Sequence, residues 1–233
     1  MELQRLIEKI KGEIQQELSP DLSSMIDHTL LRADATEEQV RTLCQEAREY
    51  KFASVCVNPS YVSLVVEMLK GSGVKTCCVI GFPLGATTTG IKVAEATEMV
   101  EAGAHEVDMV INIGAAKAGS WGVVKDDIEA VATAVKGRAI LKVIIEACLL
   151  TTEEKIKACI VSKMAGADFV KTSTGFSTGG AVVEDIRLMR RVVGSGMGVK
   201  ASGGVKDRKI ALAMVEAGAN RLGTSSGASI VKC

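Results

Sequence analysis

The chain predicts a (β/α)8 barrel, the TIM-barrel architecture, and three observations carry that prediction. Short β-rich runs alternate with longer segments of helical periodicity, eight times over. Those units occupy about 210 residues, which suits a closed barrel better than an open sheet with fewer strands. Three helical patterns end alike, in Glu101-Ala102-Gly103-Ala104, Met164-Ala165-Gly166-Ala167 and Glu216-Ala217-Gly218-Ala219. Each glycine can take the left-handed conformation that closes a helix, and a strand follows within a few residues. With 233 residues, 47% hydrophobic and 24% charged, one domain with a large core is expected and disorder is not. Residues 1–233 are read as a single barrel domain, in which residues 1–20 add an N-terminal helix over the barrel's N-terminal end.

The elements follow in order. Residues 1–18 are charged and amphipathic without an apolar h-region, so they read as helix rather than signal peptide, ending near Ser19-Pro20. The first strand is expected over residues 24–30. Thr36-Glu37-Glu38, a hydroxyl cap with acids in the first turn, opens a helix over residues 36–50. A strand over residues 53–57 and a helix over 59–70 come next. Residues 75–81 form the third strand, and Gly81-Phe82-Pro83-Leu84-Gly85 shapes the loop leading to a helix over 88–102. The fourth strand covers 106–111, with a helix over 123–135. The fifth covers 139–146, and Thr151-Thr152-Glu153-Glu154 begins a helix over 152–165 in the same way as Thr36. Strands over 168–172, 198–202 and 221–224, separated by helices over 183–193 and 207–217, complete the set.

Composition narrows the function. Lys plus Arg and Asp plus Glu both number 28, and aromatics make up 3%. A balanced chain of pI about 6.7 without a stacking platform argues against a nucleic-acid partner. No apolar stretch is long enough to span a bilayer, so no membrane partner is expected. Seven cysteines, odd in number and without C-x-x-C, read as free thiols in a reducing cytoplasm. His28 and His105 are the whole histidine complement, which excludes histidine-rich metal sites; no metal and no cofactor is expected.

In such a barrel, functional side chains project from the C-terminal ends of strands. Those ends carry Asp27, Cys56, Asn58, Asp108, Asn112, Lys142, Glu146, Lys171, Ser173, Lys200 and Ser202 on otherwise apolar strands. Alternation puts Asp108, Val110 and Asn112 on one face, and Lys142, Ile144 and Glu146 on one face. A single lysine there would read as a salt-bridge partner or a strand-end group reaching solvent. Lys142, Lys171 and Lys200 on three adjacent strands, with Asp108 beside them, read as catalytic, because burying that much charge is expensive. Neighbouring ammonium groups disfavour one another's charged forms, so one amine becomes neutral and can attack an aldehyde to form a Schiff base. The other cations stay protonated, and Asp108 relays a proton through water.

Two glycine-rich loops follow the last two strands: Ser202-Gly203-Gly204-Val205-Lys206 and Gly223-Thr224-Ser225-Ser226-Gly227. Backbone N–H groups at such positions bind phosphate, and barrels place that site there. Lys206 adds a point charge. His28 reads as a hydrogen-bonded structural histidine, and Cys56 as a packed core thiol.

The chain resembles deoxyribose-phosphate aldolase, a class I aldolase family, from about Met25 to Val231. The resemblance rests on Ile26-Asp27-His28-Thr29-Leu30, Val55-Cys56-Val57-Asn58-Pro59, Gly81-Phe82-Pro83-Leu84-Gly85-Ala86 and Glu106-Val107-Asp108-Met109-Val110-Ile111-Asn112. It continues in Leu141-Lys142-Val143-Ile144-Ile145-Glu146, Val170-Lys171-Thr172-Ser173-Thr174-Gly175-Phe176, Val199-Lys200-Ala201-Ser202-Gly203-Gly204 and Arg221-Leu222-Gly223-Thr224-Ser225. It implies metal-free cleavage of 2-deoxy-D-ribose 5-phosphate to acetaldehyde and D-glyceraldehyde 3-phosphate, with a sugar phosphate and an aldehyde as small-molecule partners. By resemblance, Lys171 is the Schiff-base lysine, Lys200 the second lysine that perturbs it, and Asp108 the acid/base group. Asp27 and Lys142 hold water and substrate hydroxyls. Gly175, Gly203, Gly204, Val205, Lys206, Gly223, Ser225 and Ser226 fall at the phosphate. A homodimer in the cytoplasm is implied as well.

The chain departs from the family in three places. Ala147 stands where a hydroxyl residue is expected, Gly90 where a better helix former is usual, and no tyrosine-bearing tail follows Cys233. Two rivals stay open: another Schiff-base barrel, including one using pyridoxal phosphate on Lys171, and a sugar-phosphate-binding barrel without catalysis. Yellow absorbance would mark the cofactor. The intact lysine pair with Asp108 argues against the binding barrel.

Overall fold

The strands form where β-branched and apolar residues alternate between two different environments. In the computed structural model, which describes residues 4–5, 7–9 and 20–232, they are β1 (Ile26–Leu30), β2 (Ser54–Val57), β3 (Lys75–Ile80), β4 (Glu106–Val110), β5 (Ile140–Ile144), β6 (Phe169–Lys171), β7 (Gly198–Ser202) and β8 (Arg221–Thr224). All pair in parallel with their sequence neighbours, and β1 also pairs with β8, so the sheet closes. One set of side chains, including Val55, Val57, Val107, Met109, Leu141, Val143, Val170, Val199 and Leu222, packs outward in the main core. A small separate apolar cluster of Leu31, Cys56, Cys77 and Val79 lies on the lumen side, with Phe82 against it.

The outer layer comprises α1 (Glu37–Glu49), α2 (Val62–Leu69), α3 (Thr89–Glu101), α4 (Ile113–Lys117), α5 (Trp121–Val135), α6 (Thr152–Met164), α7 (Val183–Val193), α8 (Arg208–Glu216) and α9 (Gly227–Val231). Thr36 and Thr151 cap α1 and α6 reciprocally with Gln39 and Glu154, as hydroxyls ahead of an N3 amide or acid do. Gly103, Gly166 and Gly218 take positive φ directly after α3, α6 and α8.

The structure revises several expected boundaries. The first strand begins at Ile26, because Ser23–Met25 form a 3-10 turn. The fifth ends at Ile144, since Glu146 takes φ 50° and turns the chain away. Two short helices were not expected. In α4 the Asn112 side chain accepts from Ala115 N–H at 3.0 Å, so this residue is a helix cap rather than part of the lumen set. In α9 the helix follows the second glycine-rich loop directly. Of the helix expected over residues 1–20, residues 4–5 and 7–9 are helical, and the others before Pro20 lie outside the described residues, as does Cys233.

A buried ion pair joins α3 to α5 outside the barrel lumen. Lys92 Nζ sits 2.5 Å from Asp127 Oδ2 and donates to the Val110 carbonyl at 2.9 Å, with both side chains buried. Thr89 Oγ donates to the other Asp127 oxygen at 2.8 Å. Removing one partner strands a buried charge, so Asp127→Ala is expected to cost about 3–5 kcal/mol in urea unfolding. A Lys92→Met/Asp127→Leu double variant should recover most of that loss. A single-variant cost under about 1 kcal/mol would show that water reaches the Lys92 ammonium.

Candidate active site

Parallel register brings the charged residues together inside the barrel. Asp108 on β4 lies opposite Lys142 on β5, Lys171 on β6 opposite Lys200 on β7, and Lys200 opposite Arg221 on β8. Their long side chains converge on Asp108. Its Oδ2 accepts from Lys171 at 2.8 Å and from Lys200 at 2.7 Å, while Oδ1 accepts from Lys142 at 2.9 Å.

A second tier lies beneath. Asp27 accepts from Ser54 Oγ at 2.7 Å, pairs with Lys200 at 2.5 Å and is bonded by the Arg221 guanidinium. Glu106 pairs with Lys142 at 2.5 Å and with Arg221 at 2.8 Å. In this network four cations face three carboxylates, so one positive charge is in excess.

The electrostatics follow from burial against pairing. Burial alone would raise the Asp108 carboxyl, but the ammonium groups of Lys142, Lys171 and Lys200 outweigh it and hold the group well below the usual carboxylate range. Asp27 behaves alike: burial pushes it up, and Lys200, Lys142 and Arg221 bring it down. Burial disfavours the charged forms of Lys200 and Lys142, yet Asp108 and the other carboxylates around them raise both above the ordinary lysine value. Both shifts favour the ammonium forms.

Gly223 makes room for this arrangement. A Cβ there would overlap Ser202 Oγ and stand 3.0 Å from Lys200 Cε, so a glycine on β8 lets the Lys200 side chain cross the lumen. Above the network opens a cavity of about 290 Å³. Its lining includes Lys171, Thr174, Gly175, Phe176, Ser202, Gly203, Gly204, Val205 and Lys206, together with Gly223, Thr224, Ser225, Ser226 and the segment Thr29–Arg32. All eight residues expected at a phosphate thus face one cavity with Lys171.

Of the five candidate catalytic residues, Lys171 alone reaches that lining. Asp108 and Lys200 are fully buried just below it. Asp27 and Lys142 are also fully buried and engaged with Arg221, Ser54, Glu106 and one another's partners, beneath the cavity rather than in its wall.

Two participants were missed in the sequence, and a third, Glu146, was named with a different placement. Glu106 and Arg221 each stand two residues before a lumen-facing position, so strand alternation alone could have placed them inward. Glu146 was grouped with the strand-end set, but its role lies elsewhere: its carboxylate accepts from Thr174 Oγ–H at 2.5 Å and Thr174 N–H at 3.3 Å, fixing the loop after Lys171. Beside it, Ala147 N–H donates to the Thr172 carbonyl at 2.8 Å.

His28 pairs with Glu46 at 2.6 Å on the outer face of β1, a structural role as expected. Cys56 is buried in the lumen. A hydrogen bond from Cys77 brings its thiol down from the ordinary value, assisted by the nearby Lys200 charge against the effect of burial.

The same residues can be set against known proteins. The family model for DeoC/LacD family aldolases matches residues 22–232. A deoxyribose-phosphate aldolase of Clostridium tetani is 63% identical over 212 residues, covering 91% of this chain and 98% of that protein. A deoxyribose-phosphate aldolase of Geobacillus is 60% identical over 212 residues, covering 91% and 95%. Among solved structures, the tetrameric deoxyribose phosphate aldolase from Aeropyrum pernix superposes with a TM-score of 0.86 at 38% identity, covering 94% of this chain and 93% of that one. With the closed barrel, the lysine pair on Asp108 and a match that runs nearly end to end, the chain belongs to the DeoC/LacD family of aldolases.

Proposed function

We propose that the chain cleaves 2-deoxy-D-ribose 5-phosphate reversibly to acetaldehyde and D-glyceraldehyde 3-phosphate through an imine on Lys171. One observation carries this reading: Lys171 is the lysine that joins the buried Asp108 network to a cavity walled by two glycine-rich loops. The substrate named for the curated relatives supports it.

The reaction begins from the Lys171 amine in its neutral form, which alone carries a lone pair for attack. The amine attacks C1 of the open-chain aldehyde, forming the C–N bond. Loss of water from the carbinolamine then leaves a protonated imine. Asp108, ionised by its cations, accepts the C3 hydroxyl proton through a water molecule. The C2–C3 bond breaks, its electron pair passes into the imine to give an enamine, and C3 leaves as the aldehyde of glyceraldehyde 3-phosphate. Protonation of the enamine at C2 and hydrolysis release acetaldehyde and return the amine.

Lys200 and Lys142 hold Asp108 in place and ionised, and the anionic end of the substrate lies on the backbone N–H groups of the glycine-rich loops, with Lys206 at the rim. The reading includes a cytoplasmic homodimer, which light scattering would register as twice the 24.5 kDa of one chain.

The test is borohydride trapping in the presence of chelator, first with acetaldehyde and then with 2-deoxyribose 5-phosphate, followed by peptide mass. An adduct on Lys171 is the expected result. Folded protein with no adduct on any lysine would sink the imine mechanism.

A further inference from the structure

Ser202 stands two residues beyond Lys200 on β7, so alternation puts both on the lumen face. It lines the cavity, is 5% exposed, and its Oγ has no hydrogen-bond partner among the described residues. Its backbone is held on both sides: Ser202 N–H donates to Thr172 Oγ at 3.1 Å, and the Ser202 carbonyl accepts from that hydroxyl at 3.0 Å and from Ala181 N–H at 3.0 Å. The hydroxyl stands against the bare backbone of Gly223, where any side chain would displace it. A buried hydroxyl held this firmly without a partner is costly to a fold, and a bound ligand is one way to satisfy it.

Ser173 repeats the pattern just beyond β6. It lies two residues beyond Lys171, is fully buried, and its Oγ is also without a partner. An added Cβ on Gly203 would lie 3.6 Å from Ser173 Cβ, so the serine packs under the phosphate loop. Two unsatisfied hydroxyls thus occupy one level, above the lysine pair and below Gly203-Gly204. Lys171 takes the carbonyl end of the substrate and the loops take the anionic end. The level between meets the middle of the carbon chain.

We infer that the Ser202 hydroxyl hydrogen-bonds the C4 hydroxyl of the bound sugar phosphate, making it a specificity residue for a hydroxylated chain. The inference rests on the proposed function and adds a contact to it. In Ser202→Ala only one oxygen is lost, and kcat/KM is expected to fall about tenfold on both 2-deoxyribose 5-phosphate and 2-deoxyribose. Trapping of acetaldehyde on Lys171, which needs no such contact, should be unchanged. On a 4-deoxy analogue of the substrate, wild type and variant should be equal.

A loss confined to the phosphorylated sugar would overturn the assignment in favour of a phosphate contact. Unchanged kcat/KM would overturn it outright, and a matching loss of acetaldehyde trapping would reduce Ser202 to a structural role. Wild-type protein that cleaves neither sugar would refute the proposed function itself, a result visible before any variant is compared.

Discussion

Lys171→Leu is expected to abolish cleavage, with a loss of roughly 10⁴-fold or more in kcat, while the barrel stays folded. No other side chain in the network reaches the cavity wall, and the other amine of the lining, Lys206, belongs to the glycine-rich loop after β7. The fold should survive because Asp108 keeps two of its three cations, Lys142 at 2.9 Å and Lys200 at 2.7 Å. Leucine also removes the excess positive charge instead of creating an unpaired one. The measurements are steady-state cleavage, borohydride trapping and a thermal melt on one preparation. Substantial residual cleavage from well-folded protein would exclude Lys171 as the imine-forming group.

Lys200→Leu should move the pH dependence as well as the rate. In the wild type four cations face three carboxylates, and Lys200 shares Asp108 Oδ2 with Lys171. In the variant three cations face three carboxylates, and the like charge that disfavours an ammonium beside it is gone. The acidic limb of the kcat/KM profile is therefore expected to shift upward, with kcat at neutral pH lower by about 10²-fold or more. Asp27 retains Arg221 and Ser54, and Asp108 retains Lys142 and Lys171, so both buried carboxylates stay partnered. A variant that is equally slow but shows an unmoved profile would mean that Lys200 acts by position and not by charge.

Legibility in the sequence tracked how local each signal was. The caps at Thr36 and Thr151 and the glycines after three helices act within one turn of chain, and each formed as its neighbours dictate. The reversal at Glu146 escaped notice because a non-glycine residue at positive φ leaves no mark in composition; here its carboxylate is tied to Thr174, 28 residues away. Asn112 misled for a related reason. Period-2 alternation carried it onto the Asp108 face, but the strand ends at Val110 and Asn112 serves as a cap.

Taken alone, the sequence determined the barrel, the order of its strands and which lysines and aspartates would face its lumen, since a period of two and a loop of a few residues are properties of neighbouring positions. Tertiary structure decided how those charges are shared. Arg221 reaches Asp27 across 194 residues of chain, and it does so only because β8 closes on β1 and Gly223 leaves the lumen open. That closure places Asp27 and Lys142 in a buried tier, leaves Lys171 at the cavity wall, and sets four cations against three carboxylates. Coulomb energies in a buried site are fixed by separations of a few ångströms, and such separations exist only once distant strands have met.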